Sequence, residues 1–138
     1  MTKENDKTWR LIDANLNRLK EGVRVIEDIA RYLNDDTSLA SKLKNIRHKC
    51  KIDNYKDIIK SRDSINDVLK NSTPSEMQRE DINSILIANY KRTQESARVL
   101  EEIFKILNPI LSENFKKIRY ELYTLEKENI INYKLSQK

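Results

Sequence analysis

The chain has 138 residues with a formal charge of +5, is 36% charged and 38% hydrophobic, and holds one glycine, two prolines, one cysteine and one histidine. Such a length is the soft expectation for one domain with a modest core, and so few turn residues beside many Lys, Glu, Leu and Ile favour helix over sheet. A single glycine excludes a Walker loop, a dinucleotide fingerprint and a protein-kinase glycine flap, while lone Cys50 and His48 exclude an intrachain disulfide, a cysteine metal cluster and a two-histidine zinc helix.

Chemistry therefore falls to Asp, Glu, Arg, Lys, Asn and Tyr. Met1 to Lys7 is polar without an apolar signal core, and the longest aliphatic run, Ile85 to Ala88, is far short of a membrane span. The expected setting is cytoplasmic, with no membrane partner. The charge excess suits an anionic ligand but is dispersed. Trp9 and the tyrosines are scattered and not interleaved with basic clusters, so a nucleic acid is not the expected partner.

From residue 8 the apolar or small positions 12, 16, 19, 23, 26, 30 and 33 step by four and three, the spacing of one buried helical stripe. Asp36 and Thr37 suit the cap of a second helix. Residues 53–73 break the pattern: Tyr55 to Ile59 can form a short helix, but Ser61 to Ser64 and Asn66 to Val68 are polar and turn-prone. Thr73-Pro74-Ser75-Glu76 has capping-box spacing with proline at the first helical position, which predicts a third helix from about residue 74. Its stripe is Leu86, Tyr90, Thr93, Ala97, Leu100, Phe104 and Leu107. Asn108-Pro109 ends that helix and caps a fourth, striped by Leu111, Phe115, Ile118, Leu122 and Leu125.

The chain also repeats. Leu11 to Asn34 aligned with Ile85 to Asn108, at an offset of 74, gives 10 identities in 24 positions; background composition would give roughly one or two. The shared polar residues are Asn15 and Asn89, Arg18 and Arg92, Glu21 and Glu95, Arg24 and Arg98, and Glu27 and Glu101. A weaker echo aligns Leu43 to Cys50 with Phe115 to Leu122 at an offset of 72. The expected fold is an all-α antiparallel bundle, one domain built from a duplicated long-helix hairpin: first hairpin about 8–52, an irregular charged connector 53–73, second hairpin about 74–135.

At 100° per residue, Asn15 and Arg18 fall beside Gly22 and Val25 on one flank of the apolar stripe, Glu27 falls on the other, and Glu21 and Arg24 point away. Two readings stay open. The repeated arginines pair along their own helices, Arg18 with Glu21 and Arg24 with Asp28, for about a few tenths of a kcal/mol each; or the repeated sets face one another across a two-sided pocket. Gly22 is read as a point of close helix packing, and His48 and Cys50 as packing residues.

Arg10 to Asn15 with Arg18, Glu21 to Asp28, Arg62-Asp63-Ser64 with Asp67-Val68, Arg79, Ala88-Asn89 with Arg92, and Glu95 through Arg98 to Glu102 together resemble the hydroxymethylpyrimidine phosphate kinase domain, over roughly residues 9 to 128. That domain occurs alone or fused to the N-terminus of thiamine phosphate synthase. The chain departs from it where a glycine is expected near Asp67, which Asn66 and Val68 flank. The resemblance implies ATP-dependent phosphorylation of a pyrimidine phosphate to its diphosphate in thiamine biosynthesis. It implies that Arg18, Arg62 and Arg92 clamp phosphates, that Asp63 and Asp67, with Glu27 or Glu101, bind Mg²⁺, and that Asn15 and Asn89 read ring or ribose edges. Arg24 and Arg98 are second-line candidates for the nucleotide or a subunit contact. Synthesis of thiamine phosphate through the usual barrel is excluded, since a (β/α)₈ barrel needs about 200 residues or more. Rival readings are a non-catalytic module that binds thiamine phosphate synthase or a pyrimidine, and a nucleic-acid-binding bundle. The exposed Arg24 and Arg98 faces and the long last helix leave room for a homodimer.

Overall fold

A computed structural model describes residues 3–53, 55–74 and 76–136. Among them every regular element is helical. The first helix, α1 (Lys3–Asp28), buries Ile12, Leu16, Leu19, Val23 and Ile26 along one stripe and runs into a π turn, Ile29–Leu33. The extra residue of a π turn shifts the helical register beyond it. Leu33 and its repeat counterpart Leu107, which the stripes place inside, are both exposed, at 61% and 45%. Asp35 then takes a left-handed φ of 49°, a conformation Asp tolerates better than most residues.

Asp36 caps α2 (Thr37–Lys49) by accepting from the Leu39 N–H at 3.0 Å. Leu39, Leu43 and Ile46 face the core, and Cys50 is buried at the helix end. The short α3 (Tyr55–Ser61) packs against α1 and buries Ile58. The described residues from 62 to 81 form no regular element.

The helix expected from residue 74 starts later: α4 spans Ile82–Leu107. The Thr73 hydroxyl donates to the Glu76 carboxylate at 3.1 Å and the segment closes as a turn, because no apolar stripe succeeds it. Asp81, immediately before the stripe begins, accepts from the Ser84 N–H at 2.8 Å and caps instead. Asn108 accepts from the N–H groups of Ile110 and Leu111 and starts α5 (Pro109–Ser136).

The core lies between the α1/α4 pair and the helices laid on one side of it, with α2 against α1 and α5 against α4. Phe104 and Phe115 stack across α4 and α5 with centroids 5.7 Å apart. Gly22 sets the α1–α4 approach: a Cβ there would stand 2.6 Å from Thr93 Cγ2 and 3.6 Å from the Asn89 carbonyl oxygen. No described helix is long and apolar enough to cross a membrane.

Candidate functional site

A cavity of about 650 Å³ lies along one face of α1 and is walled by the start of the irregular segment. From α1 come Lys7, Arg10, Leu11, Asp13, Ala14, Asn17, Arg18 and Glu21; across from them stand Arg62, Asp63, Ser64 and Asp67. Its volume lies in the range of small-molecule sites. Spacings of three and four place the α1 contributors on one helical face, so one rigid element positions most of the site.

The two walls meet at an ion pair. Arg62 Nε donates to Asp13 Oδ2 and Nη2 to Oδ1, both at 2.8 Å, and Asn17 adds a bond to Asp13 Oδ1 at 3.2 Å. Asp13 is 5% exposed, so this fork is the means by which its charge is kept inside. The hydrogen bond to Asp13 pushes the Arg62 pKa up, holding the guanidinium charged. A guanidinium has five N–H donors. The fork uses Nε and one Nη2 hydrogen, and the opposite edge, Nη1 with the second Nη2 hydrogen, is not taken up by Asp13.

Asp63 accepts from the Asn66 side chain at 2.9 and 3.2 Å and from its backbone N–H at 3.1 Å. Those bonds, with the charge of Arg10, hold its carboxyl below the usual carboxylate range. Asp67 accepts from the Leu69 N–H at 3.0 Å, so both carboxylates shape the turn they sit in.

Of the residues expected to act together, Arg18, Arg62, Asp63 and Asp67 line this one cavity. Glu21, which the helical wheel points away, lines it too, because α3 and the segment after it pack on that side of α1. Arg92 does not line it: it is exposed on α4, so among the described residues this cavity does not bring Arg92 together with Arg18 and Arg62. Asn15 and Asn89 are turned onto their own helices, donating to the carbonyls of Leu11 (3.0 Å) and Ile85 (2.8 Å). Arg24 pairs with Asp28 at 3.2 Å and Arg98 with Glu102 at 3.1 Å, both at the surface.

Glu27 and Glu101, implied as metal ligands, are each held by an arginine from the neighbouring helix. Arg47 Nε and Nη2 donate to the two oxygens of Glu27 at 2.7 and 3.2 Å; Arg119 Nε and Nη2 donate to Glu101 Oε1 at 3.0 and 2.8 Å. Both glutamates are buried, and a buried carboxylate needs such a partner. Burial pushes the Glu27 carboxyl up, but Arg47, Arg24 and Arg31 together outweigh it and hold the carboxyl below its ordinary value. Among the described residues no group of three or more His, Cys, Asp or Glu is gathered to hold a metal ion.

Asp13, Arg10, Asn17 and Lys7 are not legible as site residues from repetition. The residue aligned with Asp13 in the second half is Ile87. A search for repeated polar groups passes over a group present in one half only. The available signal is Asp13 with Asn17 one turn later, a polar pair that is out of place beside a buried stripe.

Residues 10–128 match the family model of the ThiD2 family. The chain is 35% identical over 130 residues to the thiamine-phosphate synthase of Thermosynechococcus vestitus, covering 94% of this chain and 37% of that protein. It is 36% identical over 130 residues to the thiamine-phosphate synthase of Synechocystis, covering 94% and 38%, and 41% identical over 118 residues to that of Prochlorococcus marinus (strain SARG), covering 85% and 34%. The chain thus spans little more than a third of the length of these curated relatives. No solved structure matches it.

Proposed function

The chain belongs to the ThiD2 family, and from that premise we propose that it transfers the γ-phosphoryl group of ATP to 4-amino-5-hydroxymethyl-2-methylpyrimidine phosphate, forming the diphosphate. The observation that carries this reading is the α1 cavity, where Arg62 keeps one guanidinium edge for an anion while its other edge is fixed by Asp13. Arg18, Arg10 and Lys7 add positive charge along the same wall. An acceptor phosphate is already anionic at neutral pH, so no residue has to remove a proton. An oxygen of that phosphate attacks the γ-phosphorus, the bond from the γ-phosphorus to the bridging oxygen breaks, and ADP leaves with the electron pair. Positioning and charge neutralisation then supply the catalysis.

Asp63 and Asp67 are two carboxylates lining one cavity, an oxygen donor set of the kind Mg²⁺ takes, and they would hold it there. Bound there, Mg²⁺ would neutralise charge on the transferring phosphates. Glu27 and Glu101 do not fit, since each already holds an arginine.

Incubation with the pyrimidine phosphate, ATP and Mg²⁺, followed by phosphorus NMR, tests the reading. Diphosphate resonances growing with those of ADP are expected. A second reading, a non-catalytic module serving thiamine-phosphate synthase, is favoured by one observation: the relatives carry that name and are about two and a half times as long. Tight binding of the pyrimidine phosphate by calorimetry, with no ADP or diphosphate formed, would establish that reading over the kinase.

A further inference from the structure

The α1/α4 pair has an outer face turned away from the core, whose α1 half adjoins the cavity walled by Arg62, Asp63, Ser64 and Asp67. On it Leu11, Arg18 and Val25 succeed one another at intervals of seven along α1, and Ile85, Arg92 and Val99 do the same along α4. A seven-residue interval keeps side chains on one seam. Between them, Ala14 and Glu21 on α1 match Ala88 and Glu95 on α4. Leu11, Val25 and Val99 are 39%, 37% and 36% exposed, and Ile85 is half-buried. These side chains are anchored at the edge of the core and still open to solvent.

The two helices run antiparallel: Gly22 lies against Asn89 and Thr93, and Leu11 borders a shallow apolar groove with Val99 and Ile103. Each seam reads aliphatic, Ala, Arg, Glu, Val, and the antiparallel arrangement places aliphatic residues at both ends of the face and Arg and Glu in its middle. We propose that this face is a homodimer interface, occupied by a second copy of the chain in an isologous two-fold contact. The occupant is set by the pattern. A two-fold contact requires a self-complementary surface, and here rotation about an axis through the middle of the face sets aliphatic ends on aliphatic ends and the arginines of one copy among the glutamates of the other. Helices of 26 residues laid side by side offer about 800 Å² per copy, the burial typical of a specific interface. The interface gives Arg92, which has no place in its own chain's cavity, a role at the seam. Leu11, Ala14, Arg18 and Glu21 line the cavity as well, so the second copy stands at the cavity mouth.

Sedimentation velocity of the full chain across the micromolar range tests the proposal without reference to any catalytic activity. The wild type is expected to sediment at twice the monomer mass. Val99→Glu is expected to sediment as a monomer with an unchanged helical circular dichroism spectrum. Ile131→Glu, a matched change at a half-exposed position on α5 away from the seam, is expected to remain dimeric. Should Val99→Glu fail to fold, Val99→Ser takes its place, with a dimer dissociation constant raised at least tenfold as the expected result. A wild type that stays monomeric throughout, or seam variants that dimerise as tightly as the wild type, would overturn the assignment.

Discussion

Arg47 grips Glu27 from α2 and Arg119 grips Glu101 from α5, so each long helix of the α1/α4 pair is tied to its neighbour by a buried carboxylate and a guanidinium. The two glutamates are aligned by the internal repeat at an offset of 74, and the two arginines by its weaker echo at 72. Removing one partner of a buried pair leaves the other charge unsatisfied and costs about 3–5 kcal/mol. Arg47→Met is therefore expected to lower the melting temperature strongly, whereas Glu27→Leu with Arg47→Met together should recover much of the loss; a double variant no more stable than the single would refute the pairing. The pH dependence has a definite sign. The Glu27 carboxyl is held below its ordinary value of 4.5 in the fold, so its stabilisation is present above that value and is lost as pH falls through the lower, folded one. Thermal melts between neutral and acid pH should show that loss in the wild type and less of it in the double variant.

Gly22→Ala tests the closest approach in the fold. The added Cβ would meet Thr93 Cγ2 at 2.6 Å, and Thr93 is held in place because its hydroxyl donates to the Tyr90 carbonyl at 2.7 Å. Alanine gains about 1 kcal/mol in helix propensity, while overpacking a rigid contact costs about 1–3 kcal/mol. A net loss of about 1 kcal/mol is expected in chemical denaturation. Thr93→Ser deletes the methyl and keeps the hydroxyl, so Gly22→Ala in that background should be neutral or stabilising. Equal effects in both backgrounds would mean that the contact does not limit the approach.

Legibility in the sequence depends on the length of the signal. Stripes of five to seven apolar or small positions locate α1, α4 and α5, and single residues with short-range jobs, Asp36 and Asn108, mark helix starts correctly because a cap acts within three residues of itself. Gly22, a packing residue by its place beside the stripe, packs closely in the fold. The π turn after α1 leaves no local mark, and Thr73 to Glu76 has a cap pattern without the stripe that would turn it into a helix. At the site, Arg18, Arg62, Asp63 and Asp67 converge, but the partners of Glu27 and Arg62 lie 20 and 49 residues away. Pairings at that distance depend on how helices cross, which periodicity along one helix does not contain.

Asp13→Asn keeps the shape of the side chain that anchors Arg62 and removes its charge. Arg62 remains partly exposed and can turn to water, so the stability loss should be modest, about 1–3 kcal/mol. Turnover should suffer more, on the order of 100-fold, since a guanidinium displaced by about 1 Å loses its alignment with the acceptor. The fork also ties the irregular segment to α1, and its loss should speed trypsin cleavage at Lys70 under native conditions. Unchanged cleavage with normal turnover would reduce the ion pair to a surface contact without functional weight.

Cys50 offers a readout of the whole core. Burial pushes its thiol up to about 12, only partly opposed by Lys20, and its Sγ–H is directed at the Ile46 carbonyl at 3.2 Å. The thiolate is the reactive form. At pH 8 the folded protein should therefore resist a thiolate-directed reagent, through both the scarcity of thiolate and the lack of access, and label quickly once unfolded. Because the side chain lies among residues of α1, α2 and α5, labelling requires the helices to part, and its rate should track global unfolding across a denaturant series. A labelling rate that is fast in buffer and insensitive to denaturant would show that the end of α2 opens independently of the core, and with it the seat of Arg47.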